Sequence, residues 1–264
     1  MTRMGIGDFI SGLPSSVGRL VLGPLPGAVT EKTNRLWASQ THSWPVTIDL
    51  EEDVRIIWAN TPPWVAFGAF IPGIKDPHHL QPPSGSALDL YHWAVTKHNG
   101  LPSGFSTVRL DIRSRAPVEV IFDSVGVHCD EFDTGPGISV IQPVGGASLE
   151  SRRFDIKLSA WAPHAQALEL GSQPVQEFAA TISKNDPLRL NLDAQPAPDV
   201  TLAKGFRWWV DVDFLIEGMR KSVRVPKDPE DAFTLVNNAL YPQFYRTGGS
   251  WEQWELPGRR HDGS

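Results

Sequence analysis

The carboxylates that could do acid–base chemistry are grouped at two places in this chain. Asp133-Thr134-Gly135 matches the triplet of aspartic proteases, whose chemistry needs two such carboxylates sharing a proton. The chain holds one copy, and Pro136-Gly137 follows it, so the triplet predicts a surface turn. Asp211 and Asp213 are two residues apart, which places both on one face of a strand, and the solvated outer face of a sheet explains them.

Potential metal ligands are also present, at spacings that do not favour a metal site. The run from His128 to Glu131 has a histidine, a cysteine and two acids, but adjacent side chains of a strand point to opposite faces, so at most two converge. His78-His79 lies beside Asp76 in a proline-rich stretch, which is typical of a solvated loop. Nucleophile elbow, phosphate-binding loop and dinucleotide fingerprint are missing from the sequence. The sequence therefore predicts no metal, no cofactor and no enzymatic activity.

Tryptophan is the residue type in surplus, with ten Trp against three Tyr. Aromatic side chains on the loops of a sandwich can stack on sugar rings or anchor a partner protein. Trp64 borders a proline loop, and Trp251 and Trp254 lie in a polar tail, so these three are candidate partner contacts. Four others are expected to fill the core: Trp58, Trp93, Trp161 and Trp208.

Composition is that of a globular protein with a sizeable core. The chain has 264 residues, 41% of them hydrophobic, and a net charge of −6 with no basic run, which argues against nucleic acid as a partner. Cys129 is the single cysteine, so no intrachain disulfide forms, and we expect it to be a small buried hydrophobe. Without a clear signal peptide or an apolar run long enough to span a bilayer, the sequence favours a cytoplasmic location.

Residues 1–45 are predicted to form an irregular N-terminal arm. Gly and Pro interrupt each apolar run, yet the arm is too apolar to remain unpacked in water. Three interpretations remain open: the arm packs on its own domain, docks on a partner or a second copy, or contacts a membrane surface peripherally through residues 1–30. The candidate contact residues of the arm are Phe9, Ile10, Leu20 and Leu22.

The stretch from Phe206 to Val225 organises the rest of the chain. From Phe206 to Ile216 the even positions are apolar and most odd positions are charged, which predicts a strand with one buried face; Trp209 and Leu215 are the exceptions. Glu217-Gly218 provides a two-residue turn into a return strand. That turn predicts two cross-strand pairs on the buried face: Val212 with Val223, and Val210 with Val225.

Short alternating runs follow one another from residue 107 onward. Apolar positions change parity at Asp123-Ser124, which predicts a β-bulge there. The proline-rich residues 60–85 predict an extended surface strap with a short strand at its start, leading to one helix at about 86–98, capped by Ser86 and Asp89. The predicted fold is all-β: an antiparallel, immunoglobulin-like sandwich of about ten strands at 46–245, followed by a C-terminal tail at 246–264.

The order of motifs resembles an uncharacterised family of actinobacterial β-sandwich proteins. The resemblance covers roughly residues 58–236 and lies in the strand pair TVRLDIRSRAPVEVIFDSVGVHC, the segments RRFDIKL, SKNDPLRL and FRWWVDVDFLIEG, and the short basic return strand. It implies the sandwich fold. In that family the domain often follows a membrane anchor or a DNA-binding region, no activity is established, and the first 45 residues here look like neither.

Three functions are compatible with the sequence. The leading hypothesis is a non-enzymatic interaction or assembly module, a rigid sandwich that contacts a partner protein or a second copy through its N-terminal arm and aromatic loops. The alternative is a module that binds carbohydrate or another small ligand through its loop tryptophans. The third is a hydrolase, which needs a cleft with two carboxylates about 5–10 Å apart.

Overall fold

The computed structural model describes residues 45–59, 67–115, 119–142, 153–168, 178–183, 185–198, 200, 205–247 and 249–254. The helices in this part are α1 (Val54–Ile57) and α2 (Ala87–His98). The strands are β1 (Val46–Glu51), β2 (Phe67–Pro72), β3 (Leu101–Ser103), β4 (Ser106–Ser114), β5 (Val120–Phe132), β6 (Gly137–Gln142), β7 (Arg153–Leu158), β8 (His164–Leu168), β9 (Ala180–Ile182), β10 (Leu188–Pro196), β11 (Gly205–Ile216), β12 (Met219–Val225), β13 (Phe233–Val236), β14 (Gln243–Thr247) and β15 (Ser250–Gln253).

Two sheets pack face to face, which confirms the predicted all-β sandwich. The five-stranded sheet has the order β1-β4-β10-β7-β8, and the ten-stranded sheet has the order β15-β14-β6-β2-β3-β13-β11-β5-β9, with β12 paired to β11. Alternate side chains of both sheets meet in one core, where Leu110 and Leu190 of the small sheet join Trp208 and Phe214 of the large one. All four are fully buried.

The sheets are mixed, whereas the sequence predicted antiparallel pairing and fewer strands. Parallel pairs join β7 to β10, β3 to β13 and β6 to β14. The added strands are short, and short strands carry too little alternation to be recognised. Residues 250–253, assigned to a C-terminal tail, form β15 and pair with β14. The immunoglobulin-like connectivity stays a prediction.

The proline-rich segment contains a central strand rather than only a surface strap. β2 lies between β6 and β3 in the large sheet. The strand has its one proline at the last position, Pro72, so the ladder keeps the backbone donors of the preceding residues. The short strand expected at 64–70 is therefore present at 67–72, but the expectation that this stretch lies on the surface was wrong for it, because β2 is a central strand.

The central hairpin is confirmed in its predicted register. Val212 pairs with Val223 and Val210 with Val225. Glu217 and Gly218 both have positive φ, at 50° and 77°, which is the geometry of a type I′ turn that matches the twist of the flanking strands. The hairpin places alternate residues of β11 in the core and the others on the outer face of the large sheet.

The predicted bulge is also confirmed. Asp213 of β11 pairs with Ser124 of β5, whereas the next residue, Phe214, pairs with Phe122. Asp123 is therefore the extra residue. It allows the two halves of β5 to present their apolar side chains to the same core.

Helix α2 forms as the sequence predicts. The Ser86 hydroxyl accepts from the Asp89 backbone N–H, and the Asp89 carboxylate accepts from the Ser86 backbone N–H, which completes a capping box. The helix ends at Asn99 in a left-handed conformation, with φ of 51°. Its apolar face, including Leu90 and Ala94, packs on β2 and β6 and forms a second core cluster.

Candidate recognition surface

An aromatic and charged cluster lies on the outer face of the large sheet, on its central strand β11. The strand alternation that buries Trp208 and Val210 directs Trp209 and Asp211 outward. In the ladder, His128 of β5 lies opposite Trp209, and Arg224 of β12 lies opposite Asp211. We call these four residues, Trp209, Asp211, His128 and Arg224, the Trp209 face.

Trp209 is held by ring contacts to both neighbouring strands. The imidazole of His128 is stacked with the indole, with ring centroids 5.6 Å apart and planes 9° from parallel. The guanidinium carbon of Arg224 lies 4.4 Å from the centroid of the indole, within the range of a cation–π contact. At a surface such a contact is worth about 0.5–1 kcal/mol. The half-buried indole is thus fixed in orientation before any ligand arrives.

Asp211 links the parts of this cluster. Its carboxylate lies 2.8 Å from Nε2 of His128, while Arg224 occupies the opposite ladder position. The side chains of His128 and Asp211 remain 46% and 38% exposed, so a ligand can reach both. The neighbouring Asp213 accepts a hydrogen bond of 2.8 Å from the Ser124 hydroxyl. Each of the two predicted carboxylates therefore has its own partner on β5.

Gly126 carries no side chain beside the cluster. It lies opposite Asp211 in the ladder. A Cβ added there would lie 3.9 Å from Asp211 and 4.0 Å from His128, which is ordinary van der Waals contact. The glycine therefore adds no side chain of its own between the imidazole and the carboxylate. The Trp209 face thus offers an aromatic ring, a cation, a carboxylate and an imidazole to one ligand.

Comparison of this chain with models of protein families, with curated proteins and with solved structures finds no match.

The Asp133-Thr134-Gly135 triplet forms the surface turn predicted from its sequence. The Gly135 N–H donates to the Asp133 carboxylate at 2.9 Å, and Gly135 has φ of +69°. The Thr134 hydroxyl is hydrogen-bonded to the Tyr241 hydroxyl. These contacts fit a loop anchored to the sandwich.

The potential metal ligands on β5 alternate between its two faces, as strand geometry requires. Cys129 points away from His128, packs against the core and directs its thiol toward the Ser159 carbonyl oxygen at 3.5 Å. Burial raises the pKa of the Cys129 thiol to about 11. His78 is exposed, and its Nδ1 lies 2.5 Å from the carboxylate of Asp76 in the same loop. Across the residues that the structure describes, no three His, Cys, Asp or Glu side chains are grouped to hold a metal ion.

The predicted partner contacts at the C terminus differ in accessibility. Trp251 is 7% exposed, and its indole N–H donates to the Leu80 carbonyl oxygen at 3.2 Å, a contact within the chain. Trp254 is 36% exposed and packs edge-on against Tyr245 at 5.4 Å. Trp254 therefore keeps more of the surface that a partner could contact. The other candidates, Phe9, Ile10, Leu20, Leu22 and Trp64, lie outside the described residues.

Of the four tryptophans expected in the core, one is on the surface. Trp58 and Trp208 are buried. Trp93, on helix α2, is half-buried and packs against the second core cluster. Trp161 is 95% exposed, so its assignment to the core was wrong. It lies in the five-residue loop between β7 and β8, where its two neighbours in sequence are exposed as well.

A group of carboxylates gathers where β1 meets helix α1. Although Glu52 is exposed, partial removal of its carboxyl group from water, followed by the charges of Asp231 and Glu51, raises its pKa to about 7. Nearby, the hydrogen bond from Arg55 holds the pKa of Asp53 below its usual value. Acidic clusters of this kind are common on solvated surfaces, and here Arg55 already pairs with Asp53 within the cluster.

Sequence reasoning missed the Trp209 face although a signal was present. Trp209 is the residue that breaks the alternation of β11 by placing a large apolar side chain at an outward position. A large aromatic on a charged face is informative because it remains in water unless a neighbour or ligand covers it. His128 and Arg224 were not associated with it, because their positions depend on the register of three strands.

Among the described residues, neither helix approaches the length or apolar character of a bilayer-crossing segment.

Proposed function

We propose that this chain is a non-enzymatic interaction module that binds a partner protein through the Trp209 face. The observation that carries the proposal is the Trp209 indole held between His128 and Arg224 on the outer face of the sandwich. Tryptophan and arginine are the residue types most enriched at the energetic centres of protein interfaces. A side chain already fixed by its neighbours loses little entropy on binding, so more of its contact energy appears as affinity.

The charges around the ring favour a partner with polar groups of both signs. Arg224 can pair with a carboxylate, and Asp211 can accept from a cation or a backbone N–H. The expected partner surface is therefore a mixed one, in which charged groups pair with Arg224 and Asp211 and an apolar group contacts the part of the half-buried indole that Arg224 and His128 leave exposed.

Carbohydrate binding is the weaker interpretation for this surface. A sugar ring binds a tryptophan by stacking on an open face of the indole. Here the Arg224 guanidinium lies over the indole and the His128 ring is stacked with it. Sugar stacking would displace one of these contacts, whereas a protein partner can use them as they are.

The test is affinity capture with the full chain as bait, followed by identification of the bound proteins. Trp209→Ala and Arg224→Ala should each lose a partner that the wild type retains. Met219→Ala is the matched control, because Met219 is a 56% exposed apolar residue on the same hairpin. The proposal predicts that this control keeps the partner.

Two results would contradict the proposal. One is a set of captured proteins that is the same for the wild type and for Trp209→Ala. The other is binding to a glycan array that depends on Trp209, which would favour the carbohydrate interpretation. The contacts predicted for the N-terminal arm are tested separately by deleting residues 1–30 and repeating the capture.

A further inference from the structure

We infer that β8 is the edge through which two copies of this chain pair, so that the small sheets of two protomers join into one continuous sheet. Among the residues that the structure describes, β8 ends the five-stranded sheet. This edge belongs to the small sheet, whereas the Trp209 face belongs to the large sheet. Pairing through β8 can therefore be tested independently of the function proposed above.

Three of the other described edges carry charges that discourage pairing, whereas β8 does not. Charged side chains on an edge strand prevent it from pairing with another chain. β1 has Asp49 and Glu51, β15 has Glu252, and β12 has two arginines and a lysine among its seven residues. β8 reads HAQAL, with no Asp, Glu, Lys or Arg and no proline. β9 is also uncharged, but it has only three residues.

An exposed tryptophan adjoins this uncharged edge. Trp161 is 95% exposed in the loop that leads into β8, and Ala160 and Ala162 on either side are exposed as well. A tryptophan side chain removes roughly 150–250 Å² of surface from water when a partner covers it. When two edge strands pair through main-chain hydrogen bonds, an apolar loop beside the edge adds a hydrophobic contact to that pairing.

The sequence of β8 is self-complementary about its middle residue. Antiparallel pairing with a second copy, centred on Gln166, would place Gln166 opposite itself, Ala165 opposite Ala167 and His164 opposite Leu168. Residues 165 and 167 face the core side, and their small side chains allow the partner strand to approach. A two-fold axis repeats each of these pairs, so the edge matches a second copy of itself, and one Trp161 precedes β8 at each end of the joined pair of strands.

The first experiment measures the mass of the full chain by light scattering across a concentration series. The inference predicts a dimer. Trp161→Ala should raise the dissociation constant of that dimer about thirtyfold, the effect of removing an interface hot spot. Circular dichroism of each variant checks that the sandwich is retained, since both Trp161 and Gln166 are exposed in the single chain.

The second experiment uses charge at the two-fold axis. Gln166→Lys and Gln166→Glu each place like charges opposite one another and should give monomers. A mixture of the two variants should restore the dimer, because opposite charges then meet at the axis. Thr181→Lys, which charges the exposed position of the other uncharged edge, β9, is the matched control and should leave the dimer intact.

The inference is overturned if the wild-type chain remains monomeric throughout the series. It is also overturned if the dimer forms but neither Gln166→Lys nor Trp161→Ala weakens it, or if mixing the two charged variants restores nothing. Dissociation by Thr181→Lys alone would assign the contact to β9 instead.

Discussion

Side chains on the Trp209 face restrict one another, and this restriction is the property that suits them to recognition. A tryptophan on a sheet surface would otherwise sample several rotamers. The stacked imidazole and the guanidinium contact reduce that freedom, while Asp211 holds His128 at 2.8 Å. Removing one member therefore affects the others, and single substitutions on this face should give effects that are not additive.

Cys129 provides a test of burial at the scale of one residue. Its thiol packs toward the core, and burial raises its pKa to about 11. The thiolate is the reactive form, so at about pH 8 the folded chain should react with a disulfide reagent about 100-fold more slowly than the unfolded chain. The reaction is followed by absorbance in buffer and in denaturant. Equal rates in both would show that Cys129 is accessible and contradict this placement.

Glu52 should make stability depend on pH. Its pKa is raised to about 7, so the fold favours the uncharged acid. That contribution is fully present below the ordinary pKa of a glutamate and is lost as pH rises through about 7. Glu52→Gln removes the cost of ionisation, and it should stabilise the chain at about pH 8 but have little effect at about pH 4.5. Because Glu52 is exposed, solvent screening limits the gain to about 1 kcal/mol.

Urea unfolding at the two pH values measures this difference. The control is Glu119→Gln, which removes an exposed carboxylate elsewhere on the surface. A Glu52→Gln variant with the same stability change at both pH values would contradict the assignment.

At the scale of elements, one buried ion pair joins two parallel strands. Arg153 of β7 and Asp193 of β10 are both buried, and Nε of Arg153 donates to the Asp193 carboxylate at 2.6 Å. Burial raises the pKa of Asp193, and the charge of Arg153 opposes that shift. Removing one partner of a buried pair leaves an uncompensated charge, which is costly.

Asp193→Ala should therefore destabilise the chain by about 3–5 kcal/mol. Asp111→Ala is the matched control, because Asp111 pairs with Arg189 on neighbouring strands of the same sheet face, where the Arg189 side chain is 58% exposed. An exposed pair of this kind is worth about 0–1 kcal/mol. Similar losses for both variants in urea unfolding would contradict a structural role for the buried pair.

Local elements were predictable where the pattern is complete within a short stretch. The β11–β12 hairpin could be predicted because its alternation and its Glu217-Gly218 turn together set the register. The bulge at Asp123 followed from a change of parity, and helix α2 from its capping residues. Each of these depends on neighbours in sequence, which is the information that a single sequence contains.

Pairings between distant strands were not predictable. β7 and β10 are parallel and separated by tens of residues, and no local pattern specifies their register. The Trp209 face depends on the register of β5, β11 and β12 together, so its members are not neighbours in sequence. Trp161 was expected in the core because tryptophan is a large apolar residue. In the structure its side chain is 95% exposed, because it lies in a loop between two strands.

At the scale of the whole molecule, the two proposals place contact surfaces on different sheets. The Trp209 face lies on the outer side of the large sheet, and β8 ends the small sheet among the described strands. A dimer formed through β8 would carry two Trp209 faces, and two linked sites bind a repeated or oligomeric partner more tightly than one site does. Assembly through one sheet and recognition through the other are therefore compatible.

The measurement that tests the central claim most directly is the affinity of the captured partner for the Trp209→Ala chain, determined by calorimetry beside the wild type and Met219→Ala. We predict that Trp209→Ala weakens binding about thirtyfold or more, as expected for an interface hot spot, while Met219→Ala stays within about twofold. A Trp209→Ala chain that is folded and binds the partner with the wild-type affinity would contradict the proposed role of the Trp209 face.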